Sequence, residues 1–236
     1  MADNPFYRFF RTVSFPLERK WWDRMPRHPA FKHEYWDGAL HWTPRPNTCD
    51  CYLDLATWQQ PPRGEWSVPR EEVGVRQLGE ADWKVLPRVF CAAFCQWPPL
   101  SQWEGAAPMR ASRCIMEWAR RGHDGPLVPE ACVVALTKDD RAGDDAERLA
   151  GAAIVTLMDA KRLRGAPATD DEGVPHLDWI FVPWMEQRRG IATRLLGSVV
   201  EALRAQGYRT LASTVLTANP PAMLWHWRCR FALRSD

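Results

Sequence analysis

No run of about 18 consecutive apolar residues occurs in the sequence, so nothing in it reads as a transmembrane helix. An excess of one charge is also missing. The formal net charge is +2, from 31 basic and 29 acidic residues, and such a balance gives no reason to expect nucleic acid or an anionic membrane as a partner. There is no Gly-x-Gly-x-x-Gly and no Gly-Lys-Ser/Thr, which disfavours nicotinamide and ATP chemistry. Internal repeats and long low-complexity tracts are absent. The seven cysteines, at 49, 51, 91, 95, 114, 132 and 229, are odd in number, which argues against a disulfide framework. Cys91 and Cys95 stand at helical spacing among apolar residues and are expected to be buried thiols in a cytoplasmic protein. Cys49-x-Cys51 with His41 nearby lacks the usual two-residue spacer and a second pair, so no metal site is expected. The polar first residues and the arginine-broken aromatic run after them read as neither a secretory signal nor a transit peptide.

What the chain has is length for one domain with an extension, 236 residues, and an unusual 14 tryptophans. Most of these are expected to pack in cores and interfaces, an aromatic-lined cleft being the sharper reading. Residues 1–70 are rich in Pro, Trp and Arg. A short helix limited by Pro16 is expected within 6–22, two strands at 38–43 and 48–55 around a turn at 44–47, and a linker over 59–69. From residue 71 the pattern changes. Alternation predicts a strand at 73–78, then a helix to Cys95 disturbed by Pro87, then a helix over about 111–121. Strands are predicted at 131–137 and 149–158 around a charged hairpin loop, and at 174–183 after a polar loop, 161–173. A helix follows over 190–206, with Ile191, Leu195, Leu196, Val199, Val200 and Leu203 on one face and Gly207 ending it. A strand at 210–217 and a helix capped by Asn219-Pro220 complete the order. This is an α/β pattern, a mixed central sheet flanked by helices, with residues 71–236 as the main domain and 1–70 as an extension packed on it.

The strongest local feature is Gln187-Arg188-Arg189-Gly190-Ile191-Ala192-Thr193, between a predicted strand and an amphipathic helix. Free N–H groups and the positive dipole end at a helix N-terminus suit a pyrophosphate; Gly190 and Ala192 allow close backbone approach, and Arg188 and Arg189 add charge. A plain basic turn is the alternative. Glu186, just before it, is expected to be solvated and to balance one of these arginines.

At this point the chain resembles the GNAT superfamily of N-acetyltransferases. The family's pyrophosphate motif, Gln/Arg-x-x-Gly-x-Gly/Ala, is complete from Gln187 to Ala192, and Val182 stands eight residues before Gly190, as in the family. The later pattern Asn-x-x-Ala-x-x-Leu-Tyr-x-x-x-Gly-Phe is matched by Asn219, Ala222, Trp225, His226, Arg230 and Phe231, with His226 in place of the tyrosine and Arg230 in place of the glycine. The resemblance covers residues 73–231. The family adds two more strands after this point; residues 38–55 are one source for that edge of the sheet, a partner subunit another.

The resemblance implies acetyl-CoA as acyl donor, lying between the fourth and fifth strands. The pantetheine would pair with backbone at Ile180, Phe181 and Val182, the pyrophosphate with Gln187 to Thr193, and Asn219 would reach the cofactor arm. A primary amine, on a small molecule or a peptide, would attack the thioester directly. A strand N–H near Phe181 or Val182 would stabilise the thioester oxygen, and His226 would protonate the leaving thiolate. For the base, His176 stands where some members carry a glutamate. Asp178 is the alternative, as base or ammonium ligand, and strand parity would set both on one face with Ile180 and Val182. The acidic run Asp170-Asp171-Glu172 would suit a cationic amine, or is a solvated loop. A homodimer is compatible with this reading. Two rivals remain: a non-catalytic acyl-CoA-binding domain on the same fold, and an interaction module that docks through the Trp-rich segment.

Overall fold

The computed structural model describes residues 13–24, 31–44, 48–61, 73–96, 100–102, 104–138, 147–163, 165–166, 173–216 and 219–233. The first elements are β1 (Val13–Pro16), the short helix α1 (Arg19–Trp22), β2 (Phe31–Trp36) and β3 (Ala39–Pro44). The three strands make a small antiparallel sheet in the order β1-β3-β2. Asp37 and Gly38 join β2 to β3 with both φ angles positive, 51° and 70°, the two-residue turn that matches strand twist. This turn overrides the expected pairing of residues 38–43 with 48–55. β3 is taken by β2, and β4 (Thr48–Asp54) leaves for the main sheet. The turn at 45–47, most of the expected linker and the acidic run 170–172 lie outside the described residues.

The main sheet adds β5 (Gly74–Gln77), β6 (Val133–Lys138), β7 (Glu147–Met158), β8 (Val174–Phe181), β9 (Thr210–Leu216) and β10 (Ala232–Leu233). Its order is β10-β4-β9-β8-β7-β6-β5. Every neighbouring pair is antiparallel except β8 and β9. β4 therefore supplies the edge for which the sequence left two sources open, pairing along its whole length with β9 from Thr48↔Leu216 to Asp54↔Thr210. Alternation explains the fit: Cys51 and Leu53 point into one apolar layer, while Asp50 and Tyr52 face the other way. Trp58 extends the attachment by donating its indole N–H to the Cys229 carbonyl at 2.9 Å.

Helices cover both faces. On one lie α4 (Ile191–Ala205) and α5 (Pro220–Arg228); on the other lie α2 (Leu86–Phe94) and α3 (Ala107–Arg120). The helix expected over 79–95 is divided into a 3-10 turn, Glu80–Lys84, and α2, because Pro87 sits in the first turn of α2, where a missing N–H costs nothing. A bidentate bond from Arg76 to Asp82, at 2.6 and 2.8 Å, fixes that start and holds the Asp82 carboxyl below its usual range. Cys91 is only half-buried and Cys95 is exposed, a correction to the expected pair of buried thiols: the face of α2 that packs carries Leu86, Val89, Phe90 and Ala93 instead. Tryptophan burial is likewise incomplete, since Trp21, Trp36, Trp184 and Trp227 are exposed. No helix among the described residues is long and apolar enough to cross a membrane.

α4 buries the apolar face expected of it and ends in a Schellman arrangement, with Gly207 at φ 85° and Tyr208 N–H on the Leu203 carbonyl at 3.1 Å. Arg230 adopts φ 71°, which accounts for the glycine at this place in the family pattern. Left-handed backbone costs a side-chain-bearing residue about 1 kcal/mol. Arg230→Gly is expected to raise the unfolding temperature by about 2–4 °C, the response of a domain of this size to that energy. A thermal scan with no rise would show that the arginine side chain makes up the difference.

Candidate functional site

β8 and β9 pair only at His176↔Ala212 and Leu177↔Ser213. Beyond that point they part, and the β8 edge from Asp178 onward has no described strand beside it on the β9 side. A cleft of about 340 Å3 opens there, lined by both strands and by Asp50, Phe94, Asp124, Asn219 and His226 among others.

A bulge shapes β8 inside the cleft. Leu177 pairs with Val155 and Trp179 with Ile154, so Asp178 is the extra residue. The insertion reverses the alternation. Leu177, Ile180 and Val182 belong to the apolar layer under α4, whereas Trp179 and Phe181 belong to the layer under α2 and α3. The expected common face of His176 and Asp178 with Ile180 and Val182 is thereby corrected: His176 and Asp178 are on the α2/α3 side.

These two residues form the centre of a buried polar chain. His176 Nδ1 lies 2.5 Å from Asp178 Oδ1, and His176 Nε2 lies 3.0 Å from Thr214 Oγ1. The Thr214 hydroxyl in turn donates to Asp50 Oδ1 at 2.7 Å. A hydroxyl has one hydrogen, so Thr214 must accept from His176 Nε2–H. The Nδ1···Oδ1 contact then needs a second hydrogen, shared between His176 and Asp178. The pair thus holds one proton more than a neutral imidazole and a carboxylate would. Asp178 Oδ2 is buried with no hydrogen-bond partner, on a side chain only 4% exposed. Near it, Asp124 accepts from Trp118 Nε1 at 3.0 Å and from Arg162 at 3.3 Å. Burial, followed by the charge of Asp178, raises the Asp124 pKa against those two bonds.

His226 lies on the other side of the sheet, with α5. Its Nδ1 is 2.8 Å from the Ala222 carbonyl and must donate there, which leaves Nε2 as the acceptor facing Ser213 Oγ at 3.0 Å. Burial depresses its pKa to about 4, so the ring is neutral at pH 7. The donor role expected of it needs a proton on Nε2, and in this arrangement the proton is on Nδ1. The three candidate catalytic residues therefore divide: His176 and Asp178 touch, and His226 is apart from them. Asn219 uses its side chain to cap α5, accepting from Ala222 N–H at 3.2 Å, while lining the cleft.

The loop before α4 has the backbone an anion site needs. Arg188 and Gly190 have φ of 68° and 78°. A Cβ on Gly190 would meet no protein atom within 4 Å, so the space over this helix start is open. Ile191 is buried in the core and presents only its backbone to the loop, and Gln187 folds back to donate to the Val182 carbonyl at 3.1 Å. Glu186 is not solvated as expected. It is 4% exposed and is paired with both Arg148 and Arg189, so it braces the loop from below. Asp50, Asp124 and Thr214 were not picked out from the sequence. For Asp50 the signal was there, as the polar residue of an otherwise apolar alternation, Cys49-x-Cys51-x-Leu53.

Comparison with known proteins agrees with this geometry. The profile described as acetyltransferase (GNAT) family matches residues 94–231, more than half of the chain. Among solved structures, a GCN5-related N-acetyltransferase from Sphaerobacter thermophilus is similar at 15% identity and a TM-score of 0.50, over 94% of this chain and 56% of that one. The present chain thus spans little more than half the length of the Sphaerobacter protein. PH1933 from Pyrococcus horikoshii OT3 is similar at 16% identity and a TM-score of 0.51, over 70% and 92% of the two chains. The aminoglycoside N-acetyltransferase AAC(6')-Iy, in complex with CoA, gives 19% identity and a TM-score of 0.47, over 72% and 94%. No curated protein matches significantly. With a family profile across most of the sheet, a parallel strand pair that splits, and an open helix start beside it, the chain belongs to the acetyltransferase (GNAT) family.

Proposed function

We propose that the protein transfers an acetyl group from acetyl-CoA to a primary amine, with residues 71–236 as the acetyltransferase domain and β4 of the 1–70 extension completing its sheet. The observation that carries this reading is the open space over Gly190, at the start of α4 and beside the cleft where β8 and β9 part. Backbone N–H groups of Gly190 to Thr193 would hold the pyrophosphate, assisted by Arg188 and Arg189. The free edge of β8 at Ile180 to Val182 would pair with the pantetheine amides. The donor supplies an acyl group activated as a thioester. A β8 N–H near Phe181 or Val182 would stabilise the developing oxyanion. In the balance of the reaction, the N–C bond forms as the C–S bond breaks; one ammonium proton leaves through a base and a second ends on sulfur. Asp178, with a bare oxygen in the cleft, is placed as that base. His176 would position Asp178, and His226 would support Ser213 and the start of α5.

Isothermal titration with acetyl-CoA tests the reading. The expected result is a micromolar Kd, weakened at least about 100-fold by Gly190→Glu, which sets bulk and negative charge in the open space and strains a left-handed position; 100-fold corresponds to about 3 kcal/mol. Binding that is equal in the two proteins would remove the loop from the site. No binding to the wild type at millimolar acetyl-CoA would overturn the transferase reading.

A further inference from the structure

The family profile begins at residue 94, yet the polar chain in the cleft runs out of the matched segment into β4. It passes from Asp178 on β8 through His176 and Thr214 to Asp50, crossing three strands. A chain of this kind, buried in one sheet face, fixes which atoms carry hydrogen and which remain acceptors. Here it ends, on the cleft side, at one unmatched acceptor: Asp178 Oδ2. A buried carboxylate oxygen with no donor is costly, and the group that satisfies it must bring an N–H or O–H into the cleft.

We infer that the acceptor is a small amine that arrives as its ammonium, without a carboxylate next to it, and is held through Asp178 Oδ2, with Thr214 and Asp50 as positioning residues. This rests on the acetyltransferase reading above. Three features select the class. Asp50, Asp124 and Asp178 all line the cleft, so a carboxylate on the acceptor meets like charge. Arg162, the cation that also lines it, is already bonded to the Asp124 side chain and carbonyl. Phe94 and Trp179 form an aromatic wall, their rings 6.2 Å apart and edge to face, suited to an apolar body.

Asp50 enters through Thr214. Because its carboxylate takes the Thr214 hydrogen, Thr214 can only accept from His176. That commits the His176 Nε2 hydrogen and turns Nδ1 to Asp178 Oδ1, which leaves Oδ2 for the ammonium. Without the hydroxyl, both His176 Nε2–H and Asp50 lose a partner, and the orientation of the pair is no longer set.

The test compares phenethylamine with phenylalanine, which differ by one carboxylate, in a thiol-release assay with acetyl-CoA. It uses the wild type, Asp178→Asn, Asp50→Asn, Thr214→Val and Thr214→Ser. Phenethylamine is expected to exceed phenylalanine in kcat/KM by at least about 100-fold for the wild type. Asp178→Asn is expected to lower kcat/KM by a similar factor. Thr214→Val and Asp50→Asn should lower kcat about tenfold or more with acetyl-CoA binding unchanged, and Thr214→Ser should restore it, an outcome that loss of packing would not give. If the wild type binds acetyl-CoA but turns over neither amine, or prefers phenylalanine, the acceptor class is wrong. If Thr214→Val equals Thr214→Ser, or Asp50→Asn equals the wild type, the positioning role is wrong. Failure to bind acetyl-CoA would count instead against the transferase reading itself.

Discussion

Gly125→Ala is expected to be among the most damaging single substitutions in the chain. Gly125 has φ 149°, and a Cβ built on it would lie 2.0 Å from the Leu157 carbonyl oxygen and 2.7 Å from the Leu157 carbonyl carbon. Both are backbone atoms of β7, which is held on its two sides by β6 and β8. They cannot move without disturbing the centre of the sheet. The neighbouring chain is equally fixed: Leu157 N–H bonds to the Pro126 carbonyl at 2.8 Å, and Leu127 bridges Thr156. The predicted cost is about 4 kcal/mol, at the upper end for point changes, which lowers the unfolding temperature by roughly 10 °C for a chain of this size. Gly105→Ala is the control. Gly105 also has positive φ, 59°, but an added Cβ there meets nothing within 4 Å, so it should lose only about 1 kcal/mol. Equal losses from the two would show that the close approach to β7 is not what constrains Gly125. Because Asp124 is the preceding residue, any survivor of Gly125→Ala should also bind the acceptor poorly.

His226 should make the fold sensitive to mild acid. Its pKa is depressed from 6.5 to about 4 because burial disfavours the charged ring, and the bond to the Ala222 carbonyl only partly opposes this. Above pH 6.5 the ring is neutral in both folded and unfolded chains. Between pH 6.5 and 4 the unfolded chain binds a proton that the folded chain does not, so stability falls as the pH falls through this window. The full loss is about 3 kcal/mol, from a shift of about two and a half units. Urea unfolding at a series of pH values, for the wild type and for His226→Gln, isolates the effect. The amide can retain a bond to Ala222 or Ser213 but cannot titrate. The wild-type stability should approach that of the variant as pH drops from 6.5 to 4; parallel curves would mean that the imidazole is not the group responsible.

Much of the main sheet could be read from the chain because local and long-range signals agree there. The apolar face of α4, the stop at Gly207 and the cap at Asn219 each follow from short-range chemistry and recur in the structure. The loop around Gly190 was legible for the same reason. The failures share a cause. The parity of β8 was misread because one bulged residue, Asp178, leaves no mark on an apolar pattern, yet it moves everything after it to the opposite face. Glu186 was taken for a solvated charge because nothing in the sequence says that Arg148, 38 positions earlier, will reach it. Asp50 and Thr214 meet across a separation of 164 positions, and only the pairing of β4 with β9 brings them together. The Asp37-Gly38 turn was a local signal strong enough to redirect β3, and weighing it would have separated β3 from β4.

That same insertion of β4 between β9 and β10 sets an order of assembly. The strand is made early, but both of its neighbours are made some 160 positions later, as the register Asp50↔Thr214 shows. Contacts of such long range form slowly, because a large loop must close before they return any energy. During synthesis residues 48–54 therefore wait, with an apolar side and unpaired backbone, until residues 210–233 have emerged. A nascent chain halted before β9 would expose this segment to chaperones and to other chains, and release of the last helix and strand would be the event that completes the cleft.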